Sequence, residues 1–144
     1  MMKLISKFSL LIVILIVLYL FISGNVFSPS PLVIAGQLLA VALNIWARAS
    51  FQNGQFSIHA EPGEGTLLNA GPYNIIRHPM YSATLLFIWS SILGHLSVIN
   101  VIIGLIGTSV AIIRITNEEE LLKAQFPDYD EYSRKTKRII PFII

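Results

Sequence analysis

Long apolar stretches alternate with short polar breaks along this 144-residue chain. Residues 4–22 make 19 mostly apolar residues, enough as a helix to cross ~30 Å of hydrocarbon at ~1.5 Å per residue. Further helices are expected over 31–51, 79–94 and 99–116, and Pro31 and Pro79 stand where proline suits a first helical turn. The pattern therefore predicts an all-α integral membrane protein, a single domain over 1–144 with about four transmembrane helices.

The first stretch has an alternative interpretation as a cleaved signal peptide, because the small residues Ser23-Gly24-Asn25 follow it. Its apolar run is longer than a typical signal-peptide core, which favours a retained helix. In the second helix, Gln37 and Asn44 are seven residues apart and share a face. We expect them to bond a neighbouring helix or to line a ligand pocket.

Residues 52–78 break the helical pattern. Asn53-Gly54, Glu61-Pro62-Gly63 and Gly71-Pro72 are turn-forming sequences. Unstructured connections of this length are uncommon unless they are functional or disordered, and apolar residues such as Phe56 and Ile58 favour order. We therefore expect an ordered loop. The C-terminal segment 117–144 is amphipathic and is expected at the membrane surface as a helix.

The positions of the basic residues predict the orientation. With four helices, all ten lysines and arginines lie on or at the edge of the side that holds both termini and the middle loop. The two opposite loops hold none, so the positive-inside rule makes the charged side cytoplasmic. The prediction is a multi-pass protein with both termini and any site in the loop facing the cytoplasm.

Composition agrees with a bilayer environment and narrows the chemistry. Hydrophobic residues make up 54% of the chain and charged residues 12%, about half the share typical of soluble domains. A net charge of +2 does not indicate a nucleic-acid partner, and the absence of cysteine excludes thiolate metal sites and disulfides. The three histidines show no metal-binding spacing.

Two polar groups stand out against this background. Gly71-Pro72-Tyr73 is followed by Arg77-His78-Pro79-Met80-Tyr81 at the entrance of the third helix, with His78 expected as its N-cap. Interfacial anchoring explains each residue singly, though less well their close spacing. Arg114 and Glu118 share a helix face at the end of the fourth helix, where a fixed cation should have a purpose. We expect Glu119 and Glu120 to form a solvated face, and the basic run 134–138 to contact anionic lipid.

Together these motifs resemble the isoprenylcysteine carboxyl methyltransferase family. The resemblance runs from Trp46-Ala47-Arg48 through Arg-His-Pro-Met-Tyr and the Arg114-to-Glu119 segment to Phe126-Pro127-Asp128-Tyr129 and the later Ile-Pro, over roughly residues 44–142. The fold is similar to that of phospholipid N-methyltransferases, small-thiol methyltransferases and sterol reductases. The family lacks the Gly-rich Rossmann turn, and this chain has none either.

The resemblance implies a membrane methyltransferase that uses S-adenosylmethionine. Arg114 would hold the acceptor substrate and act in catalysis, and Glu119 is a second catalytic candidate. The implied cofactor-binding residues are Thr66, Leu67, Leu68, Tyr73, His78, Pro79, Met80, Tyr81 and Glu118, with His59 near a further cofactor position. Arg77 is added as a cofactor-binding candidate, because the cofactor carries a carboxylate that a cation attracts.

The acceptor follows from the same resemblance. It is expected to be a lipophilic small molecule or lipidated group reached from the bilayer, with a carboxylate of the isoprenylcysteine type preferred. A carboxylate is already ionised at neutral pH and needs no strong base, whereas an amine or thiol would need one, with His78 or Glu119 as the candidate. The alternatives are a phospholipid amine or a small thiol as acceptor, and a non-catalytic membrane interaction protein.

Two features depart from the family pattern. The chain lacks the extra N-terminal helices of the eukaryotic enzymes, and Ala83 stands where glycine is common. The oligomeric state is left open, because small-residue faces serve contacts both within and between chains.

Overall fold

The computed structural model describes residues 2–51 and 67–140, with side chains from Phe8 onward. Within these ranges the chain is all-helical and has no strand, as expected. A short 3-10 helix at Gly71–Asn74 precedes the third of five α-helices. The five are α1 (Met2–Ile22), α2 (Pro31–Ala49), α3 (Pro79–Gly94), α4 (Val98–Gln125) and α5 (Tyr129–Lys135).

The helix bounds match the prediction for α3 and differ most for α4, which continues nine residues beyond the expected end at 116. Residues 118–125 are glutamate, leucine, lysine, alanine and glutamine, which favour helix, and Pro127 then prevents further continuation. A C-terminal helix is present as expected, but it covers only a small part of residues 117–144. The segment is divided into the end of α4, the seven-residue α5 and a non-helical stretch up to Ile140.

Two of the described helices, α2 and α4, are long and apolar enough to cross a membrane. The apolar helical stretches Phe8–Ile22 and Pro79–Gly94 are shorter. Large apolar side chains on the outer faces, such as Leu38, Ile45 and Leu105, are exposed, as a lipid environment requires. The four-span count and the orientation stay predictions.

Small residues allow the helices to approach closely. α2 packs most extensively on α3, where a Cβ at Gly36 would overlap Ser90. Between α3 and α4, a Cβ at Gly104 would lie 2.6 Å from the Ile92 Cδ1. Nearby, the Trp89 indole N–H donates to the Thr108 hydroxyl at 3.0 Å. Small residues of α4 therefore allow its close contact with α3.

Gln37 and Asn44 have different roles. The Gln37 amide donates to the Val26 carbonyl at 2.8 Å and to the Ser91 hydroxyl at 3.0 Å, so it bonds α2 to its neighbours. Asn44 instead lines a groove bordered by α1, α2 and α3, and its Oδ1 accepts from Arg48. Gln37 therefore fills the expected helix-bonding role, and a role of Asn44 in a ligand pocket stays a prediction.

At the end of the bundle where α3 begins, the C-terminal stretch pairs with the segment before α3. The Lys137 N–H donates to the Ile75 carbonyl at 3.0 Å, and the N–H groups of Arg77 and His78 donate to the carbonyls of Lys137 and Arg138. This short parallel pairing places α5 and residues 136–140 beside the entrance of α3 and the end of α4.

Candidate active site

The site begins with a turn that needs glycine. Gly71 has φ +56°, and a Cβ there would overlap the Ser50 side chain and lie 3.2 Å from the Trp46 Nε1. The turn leads into the 3-10 helix, which buries Tyr73 against Phe51 with ring centroids 5.6 Å apart. The Tyr132 hydroxyl, from α5, donates to the Tyr73 carbonyl at 2.8 Å and fixes the turn from the other side.

His78 is the N-cap residue of α3, as predicted, but its side chain makes no capping bond. The imidazole is 3% exposed and lies between two carboxylates of α4. Its Nε2 is 3.4 Å from Glu119 Oε1, and its Nδ1 is 3.9 Å from Glu118 Oε2. The Tyr81 ring packs on it edge-on at 5.7 Å. Two motifs some 40 residues apart in sequence thus meet at this ring.

Arg114 is buried one turn before Glu118 on α4 and contacts the same tyrosine. Its Nε donates to the Tyr81 hydroxyl at 3.0 Å, and its guanidinium carbon lies 5.7 Å from the Tyr81 ring centre. This places a guanidinium beside an aromatic ring at the edge of the apolar bundle.

Glu118 is the more accessible of the two carboxylates beside His78. Its side chain is 26% exposed, against 8% for Glu119. It lies close to the phenol groups of Tyr73 and Tyr81. The result is a partly open acidic position bordered by hydroxyl groups and an imidazole.

Glu119 is held by cations on both oxygens. Arg77 Nε donates to Oε1 at 3.0 Å, and Arg138 Nη2 lies 2.6 Å from Oε2. Arg77 Nη1 also donates to the carbonyls of Ser133 (2.6 Å) and Thr136 (2.5 Å) at the end of α5. The expectation that Glu119 belongs to a solvated face is wrong, because Arg77, His78 and Arg138 enclose it. Glu120, which points the other way, is exposed as expected.

Three tyrosines of this region are protonated, of which Tyr73 and Tyr129 are buried and Tyr132 is half-buried. Burial raises the pKa of Tyr73, Tyr129 and Tyr132 well above the usual range, and the charge of Glu118 adds to the effect at Tyr73. The Tyr129 hydroxyl is enclosed without a hydrogen-bond partner in the described part of the chain, and the nearby Glu119 charge further raises its pKa.

Most of the predicted site residues lie together in one cluster, and a few lie outside it. The cluster consists of Tyr73, Arg77, His78, Tyr81, Arg114, Glu118 and Glu119. Pro79 is buried and Met80 half-buried in the first turn of α3, and Leu67 and Leu68 are half-buried before the Gly71 turn. His59 and Thr66 lie outside the described residues.

Four participants were not predicted, namely Tyr129, Tyr132, Thr136 and Arg138. The basic run was expected to face lipid, yet Arg138 binds Glu119 and Lys135 pairs with Glu131 on α5. Tyr129 and Tyr132 belong to a recognisable sequence motif. Their contacts could not be predicted from it, because they depend on the long-range backbone pairing between residues 76 and 137.

The cluster fits S-adenosylmethionine in its donor set. That molecule combines a sulfonium and an ammonium, which a half-exposed carboxylate such as Glu118 attracts, with a carboxylate and hydroxyls that imidazole and phenol groups can bind. Across the ranges 2–51 and 67–140, by contrast, no three His, Cys, Asp or Glu side chains are grouped to hold a metal ion.

Comparison with known proteins identifies a family. The sequence model of the phospholipid methyltransferase family matches residues 29–129. No solved structure matches the chain.

Among curated proteins, the cobalt-zinc-cadmium resistance protein CzcN of Cupriavidus metallidurans is 32% identical over 79 residues, covering 53% of this chain and 36% of that protein. The nickel-cobalt-cadmium resistance protein NccN of Alcaligenes xylosoxydans xylosoxydans is 30% identical over 78 residues, covering 52% and 36%. The chain thus spans about a third of the length of these relatives.

The family match covers well over half of the chain and includes α2, α3, α4 and every predicted site residue. The chain therefore belongs to the phospholipid methyltransferase family, within the isoprenylcysteine carboxyl methyltransferase-like membrane methyltransferases.

Proposed function

We propose that the protein transfers a methyl group from S-adenosylmethionine to a lipophilic acceptor at the cytoplasmic boundary of a membrane. The observation that carries this proposal is the meeting of His78, Tyr81 and Glu118 at one end of an apolar helical bundle. Polar side chains gathered from distant segments in such a chain are typical of a binding site.

The cofactor would be held by residues of the α3 entrance and of α4. Glu118 presents a carboxylate to its positive groups, Tyr73 and Tyr81 supply donors around it, and the His78 ring borders the same position. Pro79 and Met80 form the first turn of α3 beneath. The set that the family resemblance implies also includes Leu67, Leu68 and, outside the described residues, Thr66 and His59. Arg77 is a further candidate on the ground of its charge. When bound, S-adenosylmethionine supplies an electrophilic methyl group.

The acceptor would approach through the groove between α1, α2 and α3. The groove holds about 180 Å³ and is lined by Val17, Ala40, Val41, Asn44, Ala83, Thr84 and Phe87. Ala83 and Thr84 follow Tyr81 within one helical turn, so an apolar chain in the groove would present its head group near Arg114. The buried guanidinium is suited to orient a carboxylate there.

This arrangement suits an acceptor that is already ionised. A carboxylate oxygen needs in-line placement and removal of water rather than a base, and the apolar groove with Arg114 supports both. For an amine or thiol acceptor, His78 is the better candidate base, because both Glu119 oxygens are held by arginines. Methylation of a phospholipid amine is the second candidate, favoured by the name of the family that the chain matches.

The test is a methyl-transfer assay with purified protein in lipid nanodiscs and S-adenosylmethionine labelled in the methyl group. A farnesylcysteine derivative, phosphatidylethanolamine and a long-chain thiol are offered separately. We expect label in the farnesylcysteine methyl ester and little in the others. Label in phosphatidylethanolamine would establish the second candidate instead. No label in any acceptor, with the cofactor unbound, would favour a non-catalytic membrane protein.

A further inference from the structure

Glu119 joins three segments of the chain at one buried point. Its side chain is 8% exposed, and the groups around it come from the α3 entrance and from the C-terminal stretch. Arg77 binds Oε1, Arg138 binds Oε2, and the Nε2 of His78 lies 3.4 Å from Oε1. The buried Tyr129 hydroxyl, which has no partner among the residues described, lies beside the same carboxylate. Nitrogen atoms of three side chains therefore surround the two carboxylate oxygens.

The chemistry of this contact fixes the imidazole. An ionised carboxylate only accepts hydrogen bonds, so Nε2 must carry the hydrogen that faces Glu119. In the neutral ring, Nδ1 is then an acceptor, and it lies on the side of the more exposed Glu118. Because Arg77 and Arg138 hold Glu119 from both oxygens, the carboxylate cannot easily turn away from the ring.

We propose that Glu119 is a positioning residue, which fixes the tautomer and orientation of His78, rather than a proton acceptor in catalysis. Arg77 and Arg138 extend this role, since they couple the placement of Glu119 to the packing of α5 and residues 136–138 on the site. The inference rests on the proposed function only in taking the Glu118 side of His78 as the cofactor side.

The experiment compares Glu119→Gln with Glu120→Gln in detergent-solubilised protein labelled with 15N-histidine. The two substitutions remove the same charge from adjacent positions, one buried and one exposed. The chain has three histidines, so a His78→Gln variant assigns the His78 signals. A glutamine at 119 donates as well as accepts, and either tautomer of His78 then has a partner.

We expect the wild type and Glu120→Gln to show His78 protonated at Nε2, and Glu119→Gln to show a mixture of tautomers. S-adenosylmethionine binding should weaken about tenfold in Glu119→Gln alone. Unchanged His78 signals in folded Glu119→Gln would overturn the proposal. The His78 signals are measured without cofactor. A wild type that fails to bind S-adenosylmethionine would therefore refute the proposed function, whereas the role of Glu119 would still be decided by the His78 signals.

A second variant covers the case in which Glu119→Gln does not fold. Arg138 has a side chain that is 52% exposed, and Arg138→Gln frees one oxygen of Glu119 while leaving the carboxylate in place. We expect His78 signals intermediate between those of the wild type and a free imidazole, with Arg134→Gln as the exposed control. His78 signals identical to the wild type in Arg138→Gln would contradict the coupling.

Discussion

Three consecutive glutamates near the end of α4 illustrate how one residue type takes different roles at this site. Successive helical residues are rotated by about 100°, so Glu118, Glu119 and Glu120 point in three directions. Glu118 is partly exposed beside two tyrosines, Glu119 is buried between arginines, and Glu120 faces outward. The charge pattern alone does not distinguish them, because the residues that enclose Glu119 come from elsewhere in the chain.

At the same scale, Arg114 should affect turnover more than cofactor binding. The family resemblance implies that it holds the acceptor, and its Nε donates to the Tyr81 hydroxyl. We expect Arg114→Gln to lower methyl transfer by about 100-fold, since an acceptor no longer oriented loses the advantage of alignment. The dissociation constant for S-adenosylmethionine should change by less than about threefold.

Steady-state kinetics together with equilibrium binding measure both quantities for Arg114. Arg134→Gln, an exposed arginine of α5, is the control and should resemble the wild type. Loss of cofactor affinity in Arg114→Gln, with turnover of the bound enzyme preserved, would show that the guanidinium serves the cofactor instead.

At the scale of elements, much of the helical pattern was accessible from hydrophobic runs and prolines, whereas the C-terminal arrangement was not. Pro79 and the apolar run after it located α3, and Pro31 located the start of α2. α4 is longer than predicted because the residues after its apolar segment have a high helix propensity, which hydropathy does not measure. The pairing of residues 75–78 with 137–138 depends on tertiary packing, to which no local pattern points.

The turn at Gly71 gives a testable consequence at this scale. Alanine at a positive φ costs about 1 to 2 kcal/mol, and overlap with Ser50 should add about 1 to 3 kcal/mol. Gly24 is a matched control, because its φ is +73° and a Cβ there meets no atom within 4 Å. Thermal unfolding in detergent should therefore show a larger loss of stability for Gly71→Ala than for Gly24→Ala. Equal losses would mean that the close contact with Ser50 is relieved without cost.

At the scale of the whole molecule, the polar cluster and the C-terminal segment lie at the same end of the bundle, and the predicted topology makes that end cytoplasmic. The chain has no cysteine, so single introduced cysteines report accessibility without interference. We expect Lys135→Cys to react with a membrane-impermeant maleimide only from the cytoplasmic side of sealed vesicles. Ser23→Cys, in the loop after α1, should react only from the opposite side. Labelling of both from one side would contradict the four-span arrangement.

We propose above all that the cluster around His78 and Glu118 binds S-adenosylmethionine. Isothermal titration of the purified protein in nanodiscs tests it directly, with Glu118→Gln and the exposed Glu120→Gln compared under the same conditions. Loss of a charged contact should weaken binding about 10- to 100-fold in Glu118→Gln, with Glu120→Gln close to the wild type. An equal affinity in all three proteins, or no binding by the wild type, would contradict the claim.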